Sequence, residues 1–302
     1  MTDAVSIQPR GRFSLAAAAS FGFGPTEGAA PYFDGVLRLA FAADGGRGHV
    51  GVVLRQPEPD GPVQAELELR GGASLDASVA QVRRIVSLDH DGLAFERLGD
   101  DDLVLGALQR AHPGQRPVLF PSPYEAAAWA VISARRPSAQ GATVRADLAR
   151  QLGETFSLAG RETLAFPQPE HLLSLGDQFP GLNLEKLTRL RGVAGAGAAG
   201  ELDVVRLHGL GPQTAFADVQ RLKGLGPFYA GLVVLRAGGF ADAPLMAPEP
   251  KVLGHAAGYY GLDHPPTLEA FSELAQRWRP FRTWATVLIR VAGERGTEIS
   301  GV

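Results

Sequence analysis

The sequence predicts an α+β fold, with an N-terminal antiparallel β-sheet domain followed by a helical domain. Residues 10–71 contain short apolar or alternating runs separated by turn signals, which is typical of antiparallel strands. From Ser74 onward, apolar residues recur at helical spacing, and no convincing strand signal follows Ser122. We therefore divide the chain into a β-rich domain with flanking helices, residues 1–115, and a helical domain, residues 116–302.

The composition is that of a globular protein, and it excludes several kinds of functional site. The 302 residues are 45% hydrophobic and 20% charged, as in globular proteins. The absence of cysteine excludes disulfides, thiolate zinc sites, iron–sulfur clusters and cysteine nucleophiles. The seven histidines show no metal-ligand spacing, so we expect no metal and no cofactor. No apolar run reaches membrane-spanning length, and we expect a cytoplasmic protein with no membrane partner.

The net charge of −3 does not by itself predict nucleic-acid binding. Residues 1–120 hold 11 basic and 15 acidic side chains, whereas residues 121–302 hold 18 basic and 17 acidic ones. Any positive surface must therefore be local. The candidates for it are Arg135, Arg136, Lys223, Lys251, Arg277, Arg279 and Arg282.

The strands of the predicted sheet are Gly35–Phe41, His49–Leu54 and Val63–Leu69. The turn signals between them are residues 44–48 and residues 56–62. The apolar stretch Phe13–Ser20 follows Arg10 and Arg12, which has some likeness to a signal peptide. We favour a first β-strand followed by a loop of small residues.

Helical periodicity predicts the remaining elements. The predicted helices are Ser74–Val86, Asp101–Ala111, Pro123–Val131, a segment ending at Leu152, Pro167–Leu175, Leu184–Arg191 and Leu268–Trp278. A further helix is expected to begin at Pro280-Phe281 and to end at Val291. Val193–Gly200 is rich in glycine and alanine and is interpreted as a helix end and linker. We expect Trp278, Phe281 and Trp284 in the core.

Residues 214–253 are predicted to form a helix, a tight turn, a second helix, a loop and the start of a third helix. Gly224 and Gly226 permit a sharp chain reversal, and Pro227 suits the first turn of the next helix. Glu249 directly precedes Pro250, so its carboxylate is expected at a helix N-terminus beside the positive end of the dipole. Asp242 is the nearest alternative acid, but it lies well before that helix.

This arrangement suits DNA. Backbone N–H groups in a glycine turn at a helix start can bind a phosphate oxygen without reading sequence. Lys223 adds a positive charge next to them. The carboxylate of Glu249 would then face the nucleotide to which the phosphate belongs.

The stretch resembles the helix-hairpin-helix/Gly-Pro-Asp superfamily of DNA glycosylases. Residues 222–226 (Leu-Lys-Gly-Leu-Gly) are similar to its Leu-Pro-Gly-Val/Ile-Gly hairpin, and residues 249–252 to its Asp-x-x-Val/Ile helix start, with Glu249 in place of the catalytic Asp. Residues 277–285 (RWRPFRTWA) are similar to the Arg-Trp-Lys-Pro-Trp-Arg-Ser-Tyr-Ala pattern of the bacterial 3-methyladenine DNA glycosylase II branch. A β-rich N-terminal domain also fits that branch.

The resemblance implies an all-α helix-hairpin-helix glycosylase domain after the sheet domain, in a monomer that acts on double-stranded DNA containing a damaged base. It makes Glu249 the catalytic carboxylate. It assigns DNA contacts to Lys223, Gly224, Leu225, Gly226, Arg135 and Lys251, and the base pocket to Phe228, Leu232 and Arg290. Leu232 and Arg290 align with pocket positions that are aromatic in the 3-methyladenine branch. Phe228 stands where lyase members carry a lysine, so the resemblance implies monofunctional hydrolysis, with alkylated purines as substrates.

Several alternatives stay open at this point. Arg135 either fills the gap left by a flipped base, or contacts phosphate or solvent. Phe228 either stacks on a damaged base or packs in the core. Glu249 is either catalytic or a solvated helix-terminal acid. The whole protein is accordingly either an active glycosylase or a protein with that fold that binds damaged or distorted DNA without catalysis.

Overall fold

The computed structural model describes residues 2–21, 33–45 and 47–299. The strands are β1 (Thr2–Ile7), β2 (Val36–Ala42), β3 (His49–Arg55), β4 (Val63–Arg70), β5 (Glu154–Leu158) and β6 (Arg161–Ala165). The first helices are α1 (Leu15–Ala19), α2 (Leu75–Ile85), α3 (Gly92–Asp101), α4 (Leu103–Ala111), α5 (Pro123–Ser133), α6 (Ser138–Leu152) and α7 (Pro169–Leu173). The others are α8 (Leu184–Ala198), α9 (Val204–Leu210), α10 (Pro212–Gln220), α11 (Pro227–Ala237), α12 (Pro250–Tyr259), α13 (Leu268–Leu274) and α14 (Arg282–Glu294).

The predicted α+β class is confirmed. The first four strands form one antiparallel sheet in the order β1-β4-β3-β2, with Val52 opposite both Leu39 and Leu67. The three predicted strands are therefore confirmed as β2, β3 and β4. Gly46 of the predicted turn at residues 44–48 lies outside the described residues. So do residues 1, 22–32 and 300–302 of the two predicted domains.

The second sheet was not predicted. β5 and β6 form an antiparallel hairpin that covers the outer face of β2 and β3, where Phe156 is buried with Ala40 and Val53. Gly51 makes this approach possible, since a Cβ atom there would lie 2.5 Å from the Phe156 ring. The expectation of no strand after Ser122 is wrong because these strands are short and largely polar on their exposed sides.

Three local predictions are also wrong. Phe13–Ser20 is not a strand: Ser14 caps the short helix α1 by accepting a hydrogen bond from the Ala17 amide. Residues 193–200 are not mainly a linker, because α8 continues to Ala198, and Gly197 lets it pack closely against Tyr124. Pro280 does not begin the last helix, which starts at Arg282 with Phe281 as its N-cap.

Most of the helices pack into two cores, whereas α1 and α2 pack against the sheet. One core combines side chains of α5, α6, α8, α10 and α11. The other combines side chains of α3, α4, α12, α13 and α14, and it buries Trp278, Phe281 and Trp284 as predicted. Because α3 and α4 pack with helices from the end of the chain, they support that part of the molecule. The boundary placed at residue 115 stays a prediction.

A buried carboxylate connects three elements of the second core. Asp102 is 5% exposed and caps α4, where Oδ1 accepts the Leu105 amide at 3.0 Å. Its Oδ2 accepts the Tyr260 hydroxyl at 2.8 Å and the Trp278 indole N–H at 2.9 Å. Each donor that this carboxylate satisfies would otherwise be left without a partner in a largely apolar region.

We expect Asp102→Ala to lower the free energy of unfolding by about 3–5 kcal/mol, since it removes a cap and leaves two side-chain donors unpaired. Asp101→Ala is the matched control, because Asp101 is the exposed neighbour on α3; it should change stability by about 0.5 kcal/mol or less. Urea unfolding of the three proteins measures both values. Equal stability of the two variants would contradict a stabilising role for Asp102.

Candidate active site

A cleft of about 870 Å³ lies between the two helical cores. One wall comes from α5, α6 and α11, and the other from the loop before α12, from α12 and from α14. Pockets for small organic ligands in proteins typically have volumes of about 300–1,000 Å³. The charged lining residues are Arg136, Arg236, Glu249 and Arg290.

Glu249 lies where the sequence predicted it. It is the N-cap of α12, with Pro250 as the first helical residue, and its Oε2 accepts the Val252 amide at 2.7 Å. The positive end of the helix dipole therefore stabilises its negative charge. Its side chain lines the cleft and is 23% exposed, so it is not simply a solvated surface acid.

Arg290 is the second group that binds this carboxylate, and it forms an ion pair with it. Its Nη1 lies 3.1 Å from Oε1 and 3.2 Å from Oε2 of Glu249, and its Nη2 lies 3.0 Å from Oε1 of Glu294. Glu294 also accepts a hydrogen bond from Lys251 at 2.8 Å, which is the main cause of its lowered pKa. These four residues form a chain of alternating charge that ends in the cleft. The sequence prediction placed Arg290 in the pocket but gave no sign of the ion pair.

Arg236 is a lining residue that the sequence analysis missed. Its Nη2 donates to the Val118 carbonyl at 2.7 Å, and its guanidinium lies 4.6 Å from the Phe21 ring centroid. Burial, and then the charge of Arg290, lower its pKa to about 9, so it stays charged at neutral pH. An arginine within the mostly apolar segment Pro227–Ala237 was the available sequence signal.

Phe228 is exposed at the cleft. Its side chain is 51% accessible and meets Tyr229 edge to face, with ring centroids 5.4 Å apart. The interpretation of Phe228 as a core residue is therefore wrong. Leu232 follows one helical turn later and also lines the cleft. These two residues give this part of the cleft an apolar surface.

The turn between α10 and α11, residues 221–226, is named here the glycine turn. Gly224 has φ +97°, which is unfavourable for residues with a Cβ, whereas Gly226 has φ −67° and does not require glycine for its φ. Leu225 is buried and anchors the turn, and Lys223 is exposed. The amides of Gly224 and Gly226 donate to no atom of the described residues.

A second tight turn follows α5. Arg135 has φ +55° and is exposed, but it does not line the cleft, so both of its interpretations stay open. The carbonyls of Ile132 and Ala134 both accept hydrogen bonds at 2.8 Å from Lys186, a residue that the sequence analysis missed. Burial, with the nearby charge of Arg136, lowers the pKa of Lys186 to about 8.

The predicted positive surface is smaller than expected. Arg282 is buried, and its Nε lies 2.8 Å from Asp242 Oδ1, so its assignment to that surface is wrong. Asp242 also faces Arg279 at 3.5 Å. Asp242 does not line the cleft, and its carboxylate is instead paired with these two arginines. Lys251 is exposed but is paired with Glu294.

Within residues 2–21, 33–45 and 47–299, no cluster of three or more histidine, aspartate or glutamate side chains is arranged to hold a metal ion. Over the same part of the chain, no helix has both the length and the apolarity needed to cross a membrane.

The chain has the fold of several DNA glycosylases of known structure. It is similar to 3-methyladenine DNA glycosylase from Archaeoglobus fulgidus, with a TM-score of 0.77 and 20% identity over 98% of this chain and 100% of that one. It is similar to MBOgg1, solved in complex with a low affinity DNA ligand, with a TM-score of 0.70 and 16% identity over 98% and 96% of the two chains. It is also similar to the 8-oxoguanine glycosylase/lyase of Clostridium acetobutylicum in its apo form, with a TM-score of 0.65 and 14% identity over 96% of each chain.

These similarities lie in the fold and cover both the sheet and the helices. No protein-family model matches the chain, and no curated protein is significantly similar to it in sequence.

We expect Gly224→Ala to lower the free energy of unfolding by about 1–3 kcal/mol, because a Cβ at its positive φ is strained and would lie 2.9 Å from Arg189 Cδ. Gly226→Ala is the control, since no atom lies within 4 Å of a Cβ added there. The free energy of unfolding of this variant should stay within about 0.5 kcal/mol of wild type. Alanine is a weaker N-cap than glycine, which lowers stability, but it also restricts the unfolded chain, which raises stability. Thermal and urea unfolding measure the stability of both variants. A larger loss of stability for Gly226→Ala than for Gly224→Ala would reject the proposed strain at Gly224.

Proposed function

We propose that the protein is a monofunctional DNA glycosylase of base excision repair, which hydrolyses the N-glycosidic bond of a damaged base in double-stranded DNA. The observation that carries the proposal is the placement of Glu249. A carboxylate fixed by a helix N-terminus lines a cleft large enough for a base, in a chain that has the fold of DNA glycosylases.

The chemistry begins with extrusion of the damaged nucleotide, which is easiest where stacking or pairing is already weak. The base would enter the cleft beside Phe228 and Leu232, and its sugar would face Glu249. As the bond to the base breaks, positive charge develops on the sugar. The carboxylate stabilises that charge, while a water molecule attacks C1′ from the side opposite to the leaving base.

Phosphate binding would fall to the glycine turn. The amides of Gly224 and Gly226 and the ammonium of Lys223 are directed at no partner among the described residues, and together they suit one phosphate group. Arg135 would contribute either as a wedge or as a further phosphate contact. Lys251 would contribute less, because the carboxylate of Glu294 already pairs with its ammonium.

Two observations support hydrolysis without strand cleavage and a purine substrate. No lysine is among the described residues that line the cleft, so none can form a Schiff base there with the sugar. The exposed ring of Phe228 can stack on an electron-poor ring, which supports the alkylated purines predicted from the resemblance.

A second candidate function is recognition of damaged or distorted DNA without catalysis. The ion pair between Glu249 and Arg290 favours it, because a paired carboxylate has less negative charge to offer a developing cation. The net charge of −3 also keeps non-specific DNA binding weak. This candidate would show salt-sensitive duplex binding with no base release.

We expect Glu249→Gln to reduce base release by about a hundredfold or more, because glutamine keeps the volume of the side chain and loses its negative charge. Duplex binding should stay within about threefold. The measurement is single-turnover release of free base at low salt from duplexes carrying either cationic or neutral alkylated purines.

Glu273→Gln on the exposed side of α13 is the control and should behave as wild type. Equal release by wild type and Glu249→Gln would reject Glu249 as the catalytic carboxylate. Duplex binding without release from any substrate by wild type would favour the second candidate function.

Lys223→Glu should weaken duplex binding and reduce the slope of log affinity against log salt by about one, since one phosphate contact is lost. Arg97→Glu is the charge-matched control, because Arg97 is an exposed residue of α3 outside both the glycine turn and the cleft. Fluorescence anisotropy with a labelled duplex across a salt series measures both. An unchanged slope for Lys223→Glu would remove the glycine turn from the DNA interface.

A further inference from the structure

The cleft contains more positive than negative charge. Among the described residues, three arginines line it, Arg136, Arg236 and Arg290, against the single acidic residue Glu249. Arginine side chains remain protonated in proteins, and the lowered pKa of Arg236, about 9, is still above neutral pH. A base that enters this cleft therefore meets an environment with an excess of positive charge.

Whether this positive environment favours breaking of the bond between C1′ and the base depends on the charge of the leaving base. When the bond between C1′ and the base nitrogen breaks, the electron pair stays on the base and the sugar becomes positive. A neutral base consequently leaves with a developing negative charge, whereas a cationic N-methylated purine leaves as a neutral molecule. Water then forms the new C1′–O bond, and its proton ends on the base in the first case and in solvent in the second.

Glu249 and Arg290 together suit a neutral base, which leaves with a developing negative charge. Their charged groups lie 3.1–3.2 Å apart at one place in the cleft, with the negative group fixed by the Val252 amide and the positive group by Glu294. An anion suited to the sugar therefore lies directly beside a cation suited to the base. Groups held in advance where charge develops give the largest electrostatic stabilisation of a transition state.

We propose that Arg290 stabilises the negative charge on the departing base, and that the site acts on neutral damaged purines in preference to cationic N-methylated ones. The inference rests on the proposed glycosylase function and specifies its substrate class. Arg236 adds to the effect, because it lines the same cleft and its positive charge also opposes entry of a cationic ring.

The experiment uses three duplexes of one sequence, which carry 7-methylguanine as the cationic base and 1,N6-ethenoadenine or hypoxanthine as the neutral bases. Single-turnover release is divided by spontaneous loss from the same duplex, so that the intrinsic lability of cationic bases is removed. The proteins are wild type, Arg290→Gln, Arg290→Lys and the control Arg150→Gln, which alters an exposed, ion-paired residue outside the cleft.

We expect a greater rate enhancement by wild type on at least one neutral base than on 7-methylguanine. Arg290→Gln should lower the enhancement on that neutral base by about a hundredfold, and on 7-methylguanine by about threefold or less. Arg290→Lys retains the charge and should recover part of the loss on the neutral base only. Arg150→Gln should match wild type on all three duplexes.

Equal losses on neutral and cationic bases would show that Arg290 only positions Glu249, and would overturn the proposal. A greater wild-type enhancement on 7-methylguanine would overturn the substrate class while leaving the glycosylase function in place. This wild-type comparison holds even if Arg290→Gln fails to fold, which melting and binding to abasic-site DNA would reveal. No release from any duplex by wild type would instead overturn the proposed function and, with it, this inference.

Discussion

The carboxylate of Glu249 is held from two directions, and both contacts come from the same wall of the cleft. The Val252 amide fixes it to the start of α12, and Arg290 fixes it to α14. Both helices belong to the same buried core, in which Trp278, Phe281 and Trp284 exclude water. Since one carboxylate bridges the two helices on the cleft side, small shifts of either helix would change where its charge lies. The packing of this core therefore determines the geometry of the site.

The sheet contributes to the opposite wall through buried charges. Glu125 of α5 is fully buried, accepts the Ala42 amide from the end of β2 at 3.3 Å and pairs with Arg145 of α6 at 2.9 Å. Burial raises the pKa of Glu125, and Arg145 opposes that change. Removing either partner of such a pair leaves an uncompensated charge in the interior, which is strongly destabilising. The turn with Arg135 thus follows a helix that is fixed to both the sheet and its neighbour.

The elements predicted correctly from the sequence are those with strong local signals. The alternation in β2–β4, the prolines at the starts of α5, α11 and α12, and the placement of Glu249 all follow from short-range chemistry. The errors involve tertiary packing: Phe156 of β5 packs against Gly51 of the first sheet, and Gly197 allows the end of α8 to approach Tyr124. The ion pair of Glu249 joins residues 41 positions apart, and no local pattern in one sequence specifies such a contact.

Two of the departures from the resembled family at this site, Glu249 and Arg290, are in contact with each other. The chain has Glu249 where the family has aspartate, and Arg290 at a position that is aromatic in the 3-methyladenine branch. Aspartate is one methylene shorter, so its carboxylate at the same N-cap would be withdrawn from the guanidinium. Arg290 would then lie in the cleft without this contact, while still paired with Glu294. Glutamate next to an aromatic ring would in turn lack a countercharge for a partly buried carboxylate. Each departure is stabilised by the other, which is the physical reason to treat them as one coupled change in the electrostatics of the site.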